Sequence, residues 1–175
     1  DSSMYSKLRV NGKLEKIPGG VRRLPELQTL GGADKNNESF LWDAVRFSNK
    51  VFCIVNAVRN SPNHDYVIWL DADTYTFRPV PSTFFKKLCP ADTMLTYLGR
   101  EDPSHKDGGK YPECGFVCYN LKHPETQNFI NAWENLYITD EVFKILEWHD
   151  SFVFWHMTKK FREEKNIKVN DIGYQ

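Results

Sequence analysis

No stretch of this sequence is apolar for the roughly 18 residues that a bilayer-crossing helix needs. Its opening residues, DSSMYSKLRV, also lack the hydrophobic stretch of a signal peptide. No membrane segment is expected, and a cytoplasmic location is. Charge of one sign is missing too: Lys plus Arg and Asp plus Glu number 23 each, so no global field draws the chain to nucleic acid or to an anionic membrane surface. The four cysteines, Cys53, Cys89, Cys114 and Cys118, form no CxxC pair and have no close histidine, which argues against a zinc site, and a chain of this size rarely needs a disulfide frame. They read as reduced, mostly buried thiols. Repeats and low-complexity tracts are absent as well. What is present, 175 residues of which 41% are hydrophobic and 14% aromatic, suits one globular unit with a core of its own.

Residues 1–37 are rich in Gly, Pro, Asn and Lys and form an irregular segment; Asn11-Gly12 within LRVNGKL predicts a hairpin with a type I′ turn. The remainder, 38–175, reads as the folded domain. From Ser39 to about Asn60, Leu41, Ala44, Val45, Ser48, Val51, Phe52, Val55 and Val58 recur at helical spacing. SPNHD breaks that helix, and YVIWL follows as a strand apolar on both faces, as in a sheet covered by helices on both sides. Ser82 is suited to cap a helix TFFKKL, DTMLTYLG reads as a strand, and CGFVCYNL is a further one beyond the polar loop REDPSHKDGGKYPE. A helix ETQNFINAWENLYI, a stretch EVFKILEWHDSFVFWHMTKKF that divides into two helices, and a last strand IKVND complete the pattern. This alternation predicts a layered α/β domain with a mostly parallel sheet flanked by helices.

The strand VIWL runs straight into Asp71-Ala72-Asp73-Thr74. On a continuing strand, side chains two apart point to one face, so Asp71 and Asp73 are expected to converge just past the strand's carboxyl end, where open α/β sheets bind ligands. Two carboxylates held close repel, and a hard divalent cation such as Mn2+ or Mg2+ relieves the repulsion by taking oxygens from both. The plainer use is that one aspartate caps the turn while the other is solvated. A wholly apolar strand leading into the pair favours the metal. A haloacid-dehalogenase-like phosphatase would use the first Asp as nucleophile in DxDxT, with a later Lys and an acidic pair. Here Tyr75 stands at the fifth position, Lys159 and Lys160 are the candidate lysines, and the acidic pair is reduced to Asp171.

LDADTYTFRPV, the helix before it and the strand CGFVCYN resemble the GT-A fold (Rossmann-like) glycosyltransferases, most closely the glycogenin and galactosyltransferase group; the likeness covers residues 39–172. The resemblance implies that Asp71 and Asp73 hold manganese or magnesium against the diphosphate of a nucleotide-sugar donor, by resemblance a UDP-sugar, whose sugar passes to an acceptor the sequence does not name. The family places a Lys, often with an Arg, on the helix before this strand, which carries over to Lys50 and Arg46. Its Asn-Ser/Ala-Gly strand opening, which contacts the donor sugar, corresponds to Glu113-Cys114-Gly115, with Glu113 in place of the Asn. Its acidic residue at a helix start, typically Asp-Gln, corresponds to Asp150 as catalytic candidate and Ser151 in place of the Gln. Retention of configuration is what the nearest families imply. His149 and His156 are further candidates for metal or acceptor contacts, although, like Trp148, Phe152, Phe154 and Trp155, they also suit a packed helix face.

Two parts of the GT-A pattern are missing: an apolar first strand for the nucleotide base, and the third metal ligand, usually a His shortly beyond the last strand. The chain is therefore expected to be either a domain truncated at both ends or a shortened relative, the first being favoured. Beside the transferase reading stands a non-catalytic module that keeps the fold and serves for binding.

Overall fold

The computed structural model describes residues 44–99, 112–139 and 141–173, so the hairpin expected at Asn11-Gly12 and the rest of the first segment lie outside the described residues. The expected first helix is α1, Ala44–Arg59. Its inner face is the predicted one: Ala44, Ser48, Val51, Phe52, Val55 and Val58 are buried, joined by Ile54. Strand β1 is Tyr66–Leu70, α2 Ser82–Leu88, β2 Leu95–Gly99 and β3 Pro112–Asn120. Helix α3 is Thr126–Ile138, a 3-10 helix covers Glu141–Lys144, α4 is Asp150–Lys165, and β4 is the two residues Asn170–Asp171. The long aromatic stretch thus divides in two, as its pattern suggested. Ser82 is not a cap: Pro81 holds the N-cap position with extended backbone and Ser82 is the first helical residue.

The described elements form a single α/β domain around a four-stranded mixed sheet in the order β1-β3-β2-β4. Here the expectation of a mostly parallel sheet needs correction. Strands β1, β2 and β4 share a direction, but β3 lies between β1 and β2 and runs antiparallel to both, leaving β2 with β4 as the parallel pair. Gly99 faces Pro112 in register, so the end of β2 and the start of β3 lie side by side, as in an antiparallel pair. The apolar run of β3 suits either direction, because a strand buried on both faces carries no directional signal.

Helices cover both faces. On one, α1, α3 and α4 enclose the main core with Val67, Leu95, Val117 and Tyr119 of the sheet. Phe154, fully buried, meets the rings of Tyr97, Phe129 and Trp133 at centroid distances of 5.8, 6.1 and 5.5 Å, separations at which aromatic pairs add to simple area burial. On the other face, Leu88, Cys89 and Cys118 form a smaller cluster against Tyr66, Ile68 and Phe85. Arg59 closes the end of α1 by a forked pair of bonds to the buried Glu134 of α3, at 3.0 and 2.5 Å. Helix α4 ends at Asn166 in the left-handed region (φ 51, ψ 42), a conformation Asn adopts at low cost, with Arg162 and Lys165 in the last turn facing the negative end of the helix dipole.

Candidate active site

Strand β1 stops at Leu70, and the Thr74 amide donates to the Asp71 carbonyl at 2.9 Å, which folds Asp71–Thr74 into a turn. The strand alternation that was to bring Asp71 and Asp73 together therefore ends one residue too early. Asp71 is half-buried and Asp73 is exposed. Among the described residues no three His, Cys, Asp or Glu side chains converge as a ready metal cluster.

What Asp71 meets instead comes from the helices. Lys50, on the second turn of α1, extends its ammonium to Asp71 Oδ1 at 2.9 Å, to Asp150 Oδ2 at 2.6 Å and to the Cys114 carbonyl at 2.9 Å. Residues separated by 100 positions in sequence are thus joined through one nitrogen. Lys50 and Asp150 are well enclosed, with side chains 11% and 16% exposed, whereas Asp71 at 36% opens to solvent. Burial alone would lower the Lys50 pKa; the charge of Asp150 and hydrogen bonds to Asp150 and Asp71 outweigh it and leave the pKa above its ordinary 10.5. One ammonium between two carboxylates leaves one negative charge in excess, and Asp73 adds to it. The second Asp150 oxygen accepts the Ser151 amide at 2.9 Å, so this first residue of α4 serves both its helix start and the lysine.

Strand β3 is deformed where it meets this group. Tyr97 pairs with Val117, but Leu98 pairs with Glu113, so Cys114, Gly115 and Phe116 have no partner on β2. Towards β1 the ladder continues, with Phe116 opposite Leu70 and the Asp71 amide donating to the Gly115 carbonyl at 3.0 Å. Bulges of this kind re-aim side chains next to functional sites. A Cβ on Gly115 would lie 3.5 Å from Asp71 Oδ2 and 3.6 Å from Glu113 Oε1, so the missing side chain keeps open the space that both carboxylates border.

Of the residues singled out in the sequence, Lys50, Asp71, Glu113, Cys114, Gly115, Asp150 and Ser151 are brought together. Cys114 acts through its carbonyl, since its thiol is buried in the core and pushed upward in pKa by that burial. The side chain of Arg46 lies outside the described residues; its helix position is one turn before Lys50. His149, the residue before α4, is buried beside Phe152 with Nε2 2.8 Å from Glu147; Trp148 just ahead of the helix and Phe152 and Phe154 within it are buried. Lys159 lies over the Trp155 ring, and Lys160 is exposed beyond it on α4, so the lysine at the first aspartate is Lys50 and not the late one that the phosphatase reading needs. A cavity of about 770 Å3 between α4 and the β2–β4 edge, lined by Tyr97, Trp155, Lys159, Arg162 and Asp171 among others, contains none of the grouped residues; chemistry rather than concavity singles them out.

Trp69 is the residue that sequence reasoning missed. Its indole Nε1 donates to Asp71 Oδ1 at 2.6 Å and its ring lies under the Lys50 ammonium at 5.4 Å. The signal was available, because Trp69 and Asp71 are two apart at a strand end and share a face. With Oδ1 taken by Trp69 and Lys50, Asp71 keeps Oδ2 towards the open side of Gly115. Asp71 Oδ2 and the exposed Asp73 carboxylate are the oxygens that a hard divalent cation would take here, the rest coming from water and ligand, although the turn does not bring the two together as a strand would. Comparison with protein-family models, with curated proteins and with solved structures returns no match.

Proposed function

We propose that this chain is a metal-dependent glycosyltransferase domain that moves a sugar from a nucleoside diphosphate sugar, of the UDP type, to an acceptor. The observation that carries the reading is the bridge from Asp71 through Lys50 to Asp150 at the carboxyl end of β1. A nucleotide-sugar transferase needs positive charge for a departing diphosphate and a carboxylate beside a sugar carbon that turns oxocarbenium-like. When bound at Asp71 and Asp73, a divalent ion supplies charge neutralisation of that diphosphate. Lys50 adds a fixed cation next to it. Its bond to Asp150 keeps that carboxylate oriented, and the bulge at Gly115 leaves room for a sugar between Asp71 and Glu113. The GT-A-like form of the fold belongs to the same proposal: three strands of one direction with β3 reversed among them, β1 ending in the aspartates, and helices on both faces are compatible with it.

The test is release of UDP from UDP-sugars by the purified chain in manganese, with sugars as acceptors. Release is expected, with Asp150→Asn lowering it about 100-fold or more while UDP binding is kept. Equal release by the variant would remove Asp150 from the reaction. UDP binding without release from any donor would favour the second reading, a binding module of the same architecture. That reading has an observation of its own, since Asp71 Oδ1 is already satisfied by Lys50 and Trp69.

A further inference from the structure

Two of the cysteines lie together on the sheet face opposite the main core. Cys89 follows the last residue of α2 and Cys118 sits inside β3; both are fully buried, and with Leu88 they make up the smaller core cluster. Cys89 Sγ lies 3.9 Å from the Cys118 carbonyl oxygen and 3.8 Å from that of Thr93, so the thiol is seated against the Cys118 backbone. Neither backbone has room to drift. Cys118 pairs with Ile68 on one side and Thr96 on the other. The Cys89 amide donates to Phe85 at 2.9 Å, its carbonyl accepts Tyr66 Oη at 3.1 Å, and the preceding Leu88 carbonyl takes Thr96 Oγ1 at 2.7 Å and Asn170 Nδ2 at 2.9 Å. A disulfide forms between sulfurs brought close on backbones that need not move far, and the shared cluster and the 3.9 Å contact place these two cysteines side by side.

The other two cysteines are excluded by position. Cys114 belongs to the main core across the sheet, and Cys53 is exposed on α1. We propose that Cys89 and Cys118 are a dithiol–disulfide pair that a small-molecule disulfide oxidises. As the chain folds, one of the two thiolates attacks one sulfur of oxidised glutathione and expels a glutathione thiolate. The other then attacks the protein sulfur of the mixed disulfide and releases the second glutathione, so two protein thiols are oxidised and one glutathione disulfide is reduced to two thiols. The fold encloses both sulfurs completely, so the exchange belongs to folding and not to the finished structure. The bridge would fasten to the central strand the far end of the segment that leaves Asp73 and passes through α2.

To overcome the burial of both thiols, the reduced, denatured full chain is refolded in mixtures of oxidised and reduced glutathione, quenched in acid, alkylated and mapped by mass without reduction. The expected product is one linked peptide pair, Cys89 with Cys118, with Cys53 and Cys114 alkylated, and a melting temperature about 5 °C or more above that of the reduced chain. Cys53→Ser should keep the link, and Cys89→Ser should lose it without a substitute. Four alkylated cysteines after refolding in oxidised glutathione, or a mixture in which Cys89–Cys118 is no commoner than other pairs, would overturn the proposal. So would a linked chain that melts no higher than the reduced one.

Discussion

Lys50 is the residue on which the account turns, because its ammonium touches both carboxylates. Replacing it with Met keeps the stem against Trp69 but leaves Asp71 and Asp150 without their cation. Loss of a hydrogen-bonded charge partner costs roughly 1.5–3 kcal/mol, so a urea titration should show Lys50→Met less stable by about that much, and UDP binding should weaken with it. The pH dependence follows from the sign of the shift. The folded pKa is raised above 10.5, so the native state binds the proton more tightly than the unfolded chain. The stabilisation is complete below 10.5 and is lost as pH rises through the folded value. Denaturation midpoints measured from pH 8 to about 11.5 should therefore fall more steeply for the native sequence than for Lys50→Met; parallel curves would mean that Lys50 is not held by its two aspartates.

At the scale of elements, two tight places test the packing. Helix α4 and strand β2 meet through Phe154, whose ring touches Tyr97, Phe129 and Trp133. Phe154→Ala should destabilise by about 3–5 kcal/mol, the range for emptying a buried aromatic site, with loss of the near-ultraviolet signal of the surrounding rings. The second place is the β2–β4 junction. Asp171 accepts the amides of Gly99 and Gly173 at 2.7 and 2.9 Å, and a Cβ on Gly173 would stand 2.0 Å from the Gly99 carbonyl oxygen. That contact is with backbone, which cannot rotate away. Gly173→Ala should therefore cost about 1–3 kcal/mol, as overpacking does, and loosen β4. A melting temperature equal to that of the native sequence would show that β4 is not held in this way.

At the scale of the molecule, legibility followed the range of the interaction. Elements defined by their own periodicity were readable: the buried stripe of α1, the apolar runs of β1 and β2, the division of the stretch from Glu141 to Lys165. Sheet direction was not, because a strand apolar on both faces carries no directional signal, and no residue of CGFVCYN encodes the reversal of β3. The candidate site was half readable. Strand VIWL pointed to Asp71, and the resemblance to Lys50 and Asp150, but the turn after Leu70 separated Asp73 from the geometry that a continuing strand implies. The bond between Lys50 and Asp150 spans 100 residues and becomes visible only in the fold. Trp69 was missed because a strand aromatic reads first as core. Among the described residues no helix is long and apolar enough to cross a membrane, in keeping with the hydropathy of the sequence.

The most direct measurement is calorimetric titration of UDP into the full chain and into its Asp71→Asn/Asp73→Asn variant, each with and without manganese and each shown by circular dichroism to be folded. The account predicts binding by the native sequence that depends on manganese and is abolished in the variant, since the two aspartates are the oxygens proposed to hold the ion. Manganese-dependent binding of the same strength in the folded variant would contradict it.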